Sequence, residues 1–277
     1  MNGYARLSEL KRDLAGVDGT TALDTTLATL CAEVSREFDR ETGRHFYSVN
    51  ATRLYSGDGG SRLYLTDDLL SVTSLKLDLD GDGAFETTVT DYWLWPDNAG
   101  STKPYRAIDL DPLGSYTYFP RARRNVQVVG VFGYCSETED STLDTAEALD
   151  TSETGITLGA SAASLIFLGD TIQIDSEQFE VTSVAGVELT VVRGINGTTA
   201  ATHISGASVL IRRYPRDVEE AVKERAAGIR WDTQSGYAGM ATLVGDASGA
   251  AGTTQLRASY ARWRRAAGAY LNPAAVV

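Results

Sequence analysis

The spacing of apolar residues changes character at His45, and that change limits the chain to folds that join helices to antiparallel strands. Before it, Leu23, Leu27, Leu30, Cys31, Val34 and Phe38 form one stripe at helical spacing. Glu33, Arg36, Glu37 and Arg40 occupy other faces and Gly43 offers a stop, so a helix is expected over about 22–42. A shorter helical stretch, marked by Leu7, Leu10 and Leu14, precedes it and ends at Gly16-Val17-Asp18-Gly19. After His45 the residues alternate, and turn signals stand at 56–60, 80–83 and 96–100. The expectation is a β meander with strands at 51–55, 62–65, 72–79, 86–90, 92–95, 106–110 and 125–133, rich in Val, Leu, Tyr and Trp.

Composition shifts at Ser136. From there to Ala163 the chain is Ser, Thr, Asp, Glu, Ala and Gly with scarcely an aromatic, which reads as a linker. The residues beyond it are strand-like, with turns at Asp175-Ser176, Ala185-Gly186 and Asn196-Gly197, so 143–213 reads as a small β module. Helical spacing returns at Tyr214, where Pro215 suits a first turn and Asp217 with Glu220 has capping-box spacing. Residues 232–256 are poor in large apolar side chains and read as a flexible or partner-ordered arm. A last amphipathic stretch carries Leu256, Tyr260, Trp263, Ala267, Tyr270 and Leu271 on one stripe, with Arg257, Arg262, Arg264 and Arg265 off it. The expected class is α+β: a small helical bundle core with a β-rich extension, made of 1–135 and 214–277, and an inserted small all-β module with its linker at 136–213.

Charge narrows the functions. Against 25 Lys and Arg stand 37 Asp and Glu, a net charge of -12 that disfavours a surface gripping phosphate backbones or anionic lipid. No apolar run approaches the roughly 18 residues of a membrane span. The first residues lack a secretory signal, so a soluble chain kept in a cytoplasm is expected. Cys31 and Cys135 are too few for a disulfide framework and read as reduced and partly buried. His45 and His203 lie in no nucleophile context and read as surface or partly buried side chains. The glycines at 245–252 lack the Lys and the preceding strand of a phosphate loop. Asp78, Asp80 and Asp82 before Gly83 imitate the first half of a calcium loop, with Glu86 as a weaker further ligand. Position 89 is Val where a bidentate acid belongs, so a hairpin turn is favoured. Arg121, Arg123 and Arg124 read as a solvated turn before the strongest strand. No cofactor and no enzymatic activity are expected.

In order along the chain come FDRETGRHFY, ATRLYSGDGGSRLYLTDDLLSVTSLKLDLDGDGAFE, FPRARRNVQVVGVFGY and YPRDVEEAVKERAAGIRW. This succession resembles the head-tail connector proteins of tailed bacteriophages, also called adaptor or head completion proteins, over about 4–135 and 214–231. The resemblance implies a homo-oligomeric ring, usually twelvefold, that docks beneath the portal protein and passes packaged DNA to tail or neck proteins in the virion, after assembly in the host cytoplasm. It implies only transient contact with DNA and none with membrane. It also implies that the C-terminal part grips the portal, for which Leu256, Tyr260, Arg262, Trp263, Arg264, Arg265 and Tyr270 are the candidates. A helix folded back on its own domain carries the same stripe and stays open. A competing reading is a neck or tail decoration protein whose β module binds a carbohydrate or a neighbouring virion protein, although Phe167 and Phe179 are the module's only aromatics. A hydrolase ranks last.

Overall fold

The computed structural model describes residues 2–14, 20–97, 104–160, 162, 165–234 and 247–272; the side chains of 234 and 247–256 fall outside that description, as do the expected turns at 16–19 and 98–100. The described chain is mostly β: two antiparallel sheets of six strands and four helices. This corrects the expected helical bundle core. Strand side chains build both sheet cores, Leu69, Leu75, Ile108, Val126 and Phe132 in the first and Ile156, Ile172, Phe179, Val181 and Val209 in the second. Many short alternating strands sum to a large buried area, whereas one long stripe stands out more in the sequence.

The chain divides into two compact units. Among the described residues, one comprises 44–137 and 196–198. It holds β1 (Val49–Gly57), β2 (Arg62–Leu77), β3 (Thr87–Val89), β4 (Tyr92–Trp95), β5 (Tyr105–Leu110) and β6 (Ala122–Phe132). The order is β1-β6-β2-β5-β4, with β3 on β2, so the last strand inserts between the first two and the sheet is not a meander. A single long β2 replaces the two strands expected at 62–65 and 72–79. Bulges let its first half pair with β5 and its second half with β6 and β3. At one of these bulges a Cβ on Gly130 would lie 2.1 Å from the Ser71 carbonyl oxygen, an approach only glycine permits.

The other unit comprises 1–43, 138–195 and 199–272. It holds α1 (Leu7–Asp13), α2 (Asp24–Thr42), β7 (Thr138–Asp144), β8 (Gly155–Thr157), β9 (Thr171–Ile174), β10 (Glu177–Ala185), β11 (Glu188–Val192), β12 (Ser208–Arg212), α3 (Arg216–Gln234) and α4 (Ala247–Ala269). Its sheet runs β7-β12-β9-β10-β11-β8. β7 and β8 form in the stretch read as linker, because pairing needs only one apolar face: Ser141 and Leu143 point inward while their neighbours face solvent. Two-residue turns join β9 to β10 at the expected Asp175-Ser176 and β10 to β11 at Gly186-Val187, one residue after the expected Ala185-Gly186 because Ala185 still pairs with Glu188. Asn196-Gly197 has the expected positive φ values, 54° and 73°, but does not join two strands of this sheet. Its residues cluster with the first unit, where the Asn50 N–H donates to the Asn196 carbonyl at 2.9 Å.

α2 buries Leu27, Cys31, Val34 and Phe38 and ends at Gly43, whose φ of 66° makes the left-handed cap. α3 buries Val218, Ala221, Val222 and Ala226. Its N-terminus is held by Glu219, which accepts from the Tyr214 N–H at 3.2 Å and pairs with Arg213; Glu220 instead pairs with Lys223. α4 begins at Ala247, nine residues before the expected start at Leu256, so part of the stretch read as an arm is helical; its alanines favour that state. Residues 235–246 lie outside the described residues. No helix among those described is long and apolar enough to cross a membrane.

Candidate interaction surfaces

α4 folds against α3 and α2, and this splits its sequence stripe into an inner and an outer part. Trp263 is 1% exposed and meets Phe38 edge-on at 5.7 Å. Tyr260 stacks on Trp263 at 5.8 Å, lies beneath the Arg225 guanidinium at 5.0 Å and keeps its outer side in solvent. Arg262 donates to Glu224, and Arg264 donates to Glu41 of α2 at 2.9 Å. The Tyr270 hydroxyl donates to Asp217 at 2.7 Å. Arg265 is exposed. The Leu256 side chain lies outside the described residues. One face of α4 thus closes the protein's own helical layer, and the other presents arginines and Tyr260.

The acidic loop joins β2 to β3, with Leu77 opposite Thr87, and forms a hairpin connection. Carboxylate oxygens of Asp78, Asp80 and Asp82 lie within 4.8 Å of one another. Asp78 accepts from the Gly81 N–H at 2.7 Å and the Gly83 N–H at 3.0 Å, and Asp82 accepts from the Ala84 N–H at 2.7 Å. These three acids are the residues a divalent cation would meet; Glu86 is exposed at the loop's far end. The basic run is not a free turn. Ala122 to Arg124 open β6, Arg124 has a φ of 55° at the bulge, and Arg121 donates to the Asp58 carbonyl at 3.0 Å.

His203, read as a surface or partly buried residue, is buried in a charged knot. Its Nδ1 lies 2.7 Å from Asp175 and its Nε2 lies 3.0 Å from Glu177. Arg193 donates to both oxygens of Glu177, at 3.0 and 2.7 Å, and the Gly194 and Ala201 N–H groups add 3.1 and 2.9 Å bonds. Burial by itself would raise the Glu177 carboxyl, but these donors outweigh it and hold the group down at about 2. The knot ties down the long connection from β11 to β12 and offers no nucleophile. Its members are separated by up to 28 residues, and no local spacing announces them. Cys31 and Cys135 are both buried thiols outside any disulfide, more enclosed than expected, and burial pushes the Cys31 thiol up to about 12. Phe179 lies in the module's core and Phe167 beneath Arg6, so the module carries no aromatic sugar-stacking face among the described residues.

An aromatic face does exist, on the first sheet. Register places Trp93, Asp109 and Arg62 in one row across β4, β5 and β2, and Trp95, Ala107 and Tyr64 in the next row on the same side. Trp93, Trp95 and Tyr64 are 52%, 40% and 68% exposed. Arg62 forks onto Asp109 with two bonds of 2.6 Å, and its guanidinium lies 5.4 Å from the Trp95 ring and 6.0 Å from the Tyr64 ring. β4 is the edge strand. The available signal was Tyr92-Trp93-Leu94-Trp95, a short strand apolar on both sides, of which only one can face a core.

No protein-family model matches the chain, and no curated protein matches it. A solved chain described as the neck of an empty GTA particle computed with C6 symmetry is similar at 18% identity, over 48% of this chain and 65% of that one, with a TM-score of 0.32. The match spans less than two thirds of that chain, and a TM-score of this size does not establish a common fold.

Proposed function

We propose that the chain is a structural protein of a phage-like particle neck, a head-tail adaptor that assembles as a ring beneath the portal, joins the DNA-filled head to the tail and lets DNA pass. The observation that carries this reading is the exposed face of Trp93 and Trp95 on the edge strand β4 with Tyr64 and Arg62 on β2. Tryptophan, tyrosine and arginine dominate the binding energy of protein interfaces, and a water-exposed cluster of them is costly unless something covers it. The ordered phrases that resemble connector proteins support the same reading: they fall on the end of α2 and the approach to β1, on β1 through β2, on β6 and on α3. The output is geometry, with no catalytic step.

In this reading 1–135 and 214–277 are the connector portion and 136–213 an insertion. Support comes from β7 and β12, which pair with Thr138 opposite Arg212, so that the module's two ends meet and interrupt the host chain little. The portal-facing surface is the outer face of α4, with Tyr260, Arg262, Arg264 and Arg265, flanked by Leu256 and Tyr270; Trp263 anchors that helix from beneath. The ring is twelvefold, as the resemblance to connector proteins implies. Sedimentation of the purified chain, alone and with portal protein, tests the reading. A discrete higher-order species with portal is expected, and Trp93→Ser with Trp95→Ser weakens assembly while leaving the fold intact. A persistent monomer in both conditions overturns the proposal.

A further inference from the structure

Charge is partitioned along this chain to an unusual degree. Between Ser136 and Val192 the sequence has twelve Asp or Glu and no Lys or Arg, a deficit equal to the whole protein's net charge. α4, over 247–269, has four Arg and no acid. From Thr138 onward the acidic stretch belongs to the same compact unit as α4, yet α4 packs chiefly on α3 and α2. Its cations are therefore not neutralised by the acidic module of their own chain. Arg262 and Arg264 pair with Glu224 and Glu41, while Arg257 and Arg265 are exposed with no ion pair among the described residues.

On the module, one rim concentrates the opposite charge. The Thr157 hydroxyl donates to Glu147 and lies 3.4 Å from a Glu188 carboxylate oxygen, so two exposed carboxylates converge on one donor, an arrangement that a nearby cation relieves. Asp144 is exposed on the end of β7 that continues toward Glu147. Ile204, 76% exposed, rises beside this rim, its carbonyl accepting from the Thr145 hydroxyl at 3.0 Å. The basic helix has a matching centre, the exposed outer side of Tyr260. Each surface carries an apolar side chain within like charges, and the two charges are opposite.

We infer that the outer face of α4 docks on the acidic rim of the inserted module of a second copy of the same chain. The contact is heterologous: the helix of one copy meets the module of the next, so it propagates around a ring and does not close as a symmetric dimer. The inference rests on the ring reading above and adds which surfaces the copies use. It also places part of the α4 face between copies and so leaves the portal a smaller share of that helix. Interactions between exposed charges are screened within about 8 Å at physiological salt, so the association is salt-sensitive.

The experiment is a charge swap on the full-length protein, read by sedimentation velocity at low and high salt. One variant carries Arg257→Glu and Arg265→Glu; the other carries Glu147→Lys and Glu188→Lys. All four positions are exposed, and far-ultraviolet circular dichroism verifies that both variants fold. Each variant alone is expected to self-associate at least about tenfold more weakly than the parent. An equimolar mixture restores assembly, because every junction in an alternating ring again joins opposite charges. Self-association of the parent that neither variant weakens overturns the inference and leaves the ring reading standing. Weakening by both variants without recovery in the mixture also overturns it, since general charge effects would then suffice. A parent chain that stays monomeric at every concentration and salt, both alone and with portal protein, removes the ring reading and this inference together.

Discussion

Asp39 gives the sharpest quantitative test of how the helical layer is held. Its carboxylate lies in the last turns of α2, where it accepts from the Tyr4 hydroxyl at 2.6 Å and pairs with Arg36 at 3.2 Å. Burial raises the carboxyl from its ordinary 3.8 to about 6 in spite of these partners, and the negative end of the helix dipole acts in the same direction. A folded-state pKa above the unfolded one means that the folded protein binds the proton more tightly. This group's contribution is therefore fully present below about pH 4 and is lost as pH rises toward 6 and beyond. Working the linkage between pH 4 and pH 7 with those two values yields about 2 kcal/mol, lost on going to neutrality.

Asp39→Asn keeps an oxygen that accepts from Tyr4 and removes the titration. Urea unfolding followed by helical circular dichroism, for parent and variant at both pH values, isolates this one group. The other buried carboxyls raised by burial, Asp68, Asp170 and Glu219, contribute equally to both proteins and cancel. The variant is expected to lose about 2 kcal/mol less than the parent between pH 4 and pH 7, and to be at least as stable at pH 7. Equal pH dependence in the two proteins, or a steeper loss in the variant, would refute burial as the dominant effect at Asp39.

Four further perturbations read packing and buried charge. Trp263→Ala, which empties the contact with Phe38, costs about 3–5 kcal/mol in chemical denaturation, and truncation after Thr254 exposes the surfaces of α2 and α3 that α4 covers; retention of full stability by either would show that α4 does not seat there. Glu177→Gln leaves the Arg193 guanidinium buried without its counter-charge and costs about 3–5 kcal/mol, read by the unfolding midpoint at pH 7. Since the folded Glu177 carboxyl is held at about 2, below its ordinary 4.5, the stability it supplies is present above pH 4.5 and fades as pH falls toward 2 in the parent alone. Gly130→Ala forces a Cβ onto the Ser71 carbonyl and lowers the thermal midpoint, whereas an unchanged midpoint would mean that the β2 bulge relaxes freely.

Much of the local structure was written in residue spacing. The stripe from Leu27 to Phe38 and its stop at Gly43, the strand at 92–95, and the turns at Asp175-Ser176 and Gly186 follow from periodicity and turn chemistry, which act over a few residues and need no partner. Which strands pair was not legible in the same way. The insertion of β6 between β1 and β2 depends on contacts about 50 to 80 residues apart and on a bulge that only the packed sheet stabilises. Likewise, the C-terminal stripe specified an apolar face without saying what it covers, and packing alone turned Trp263 inward onto Phe38 while leaving Tyr260 and the arginines in water. The knot around Glu177 joins residues from β10, the connection after β11 and the approach to β12, and only the folded chain brings their charges within hydrogen-bond reach. The kind and position of most elements were therefore fixed by the order of residues alone, since backbone and side-chain preferences are local. Their partners were chosen on assembly, and with them the aromatic and charged side chains left exposed to meet another surface, because burial is a property of the assembled chain and not of any segment.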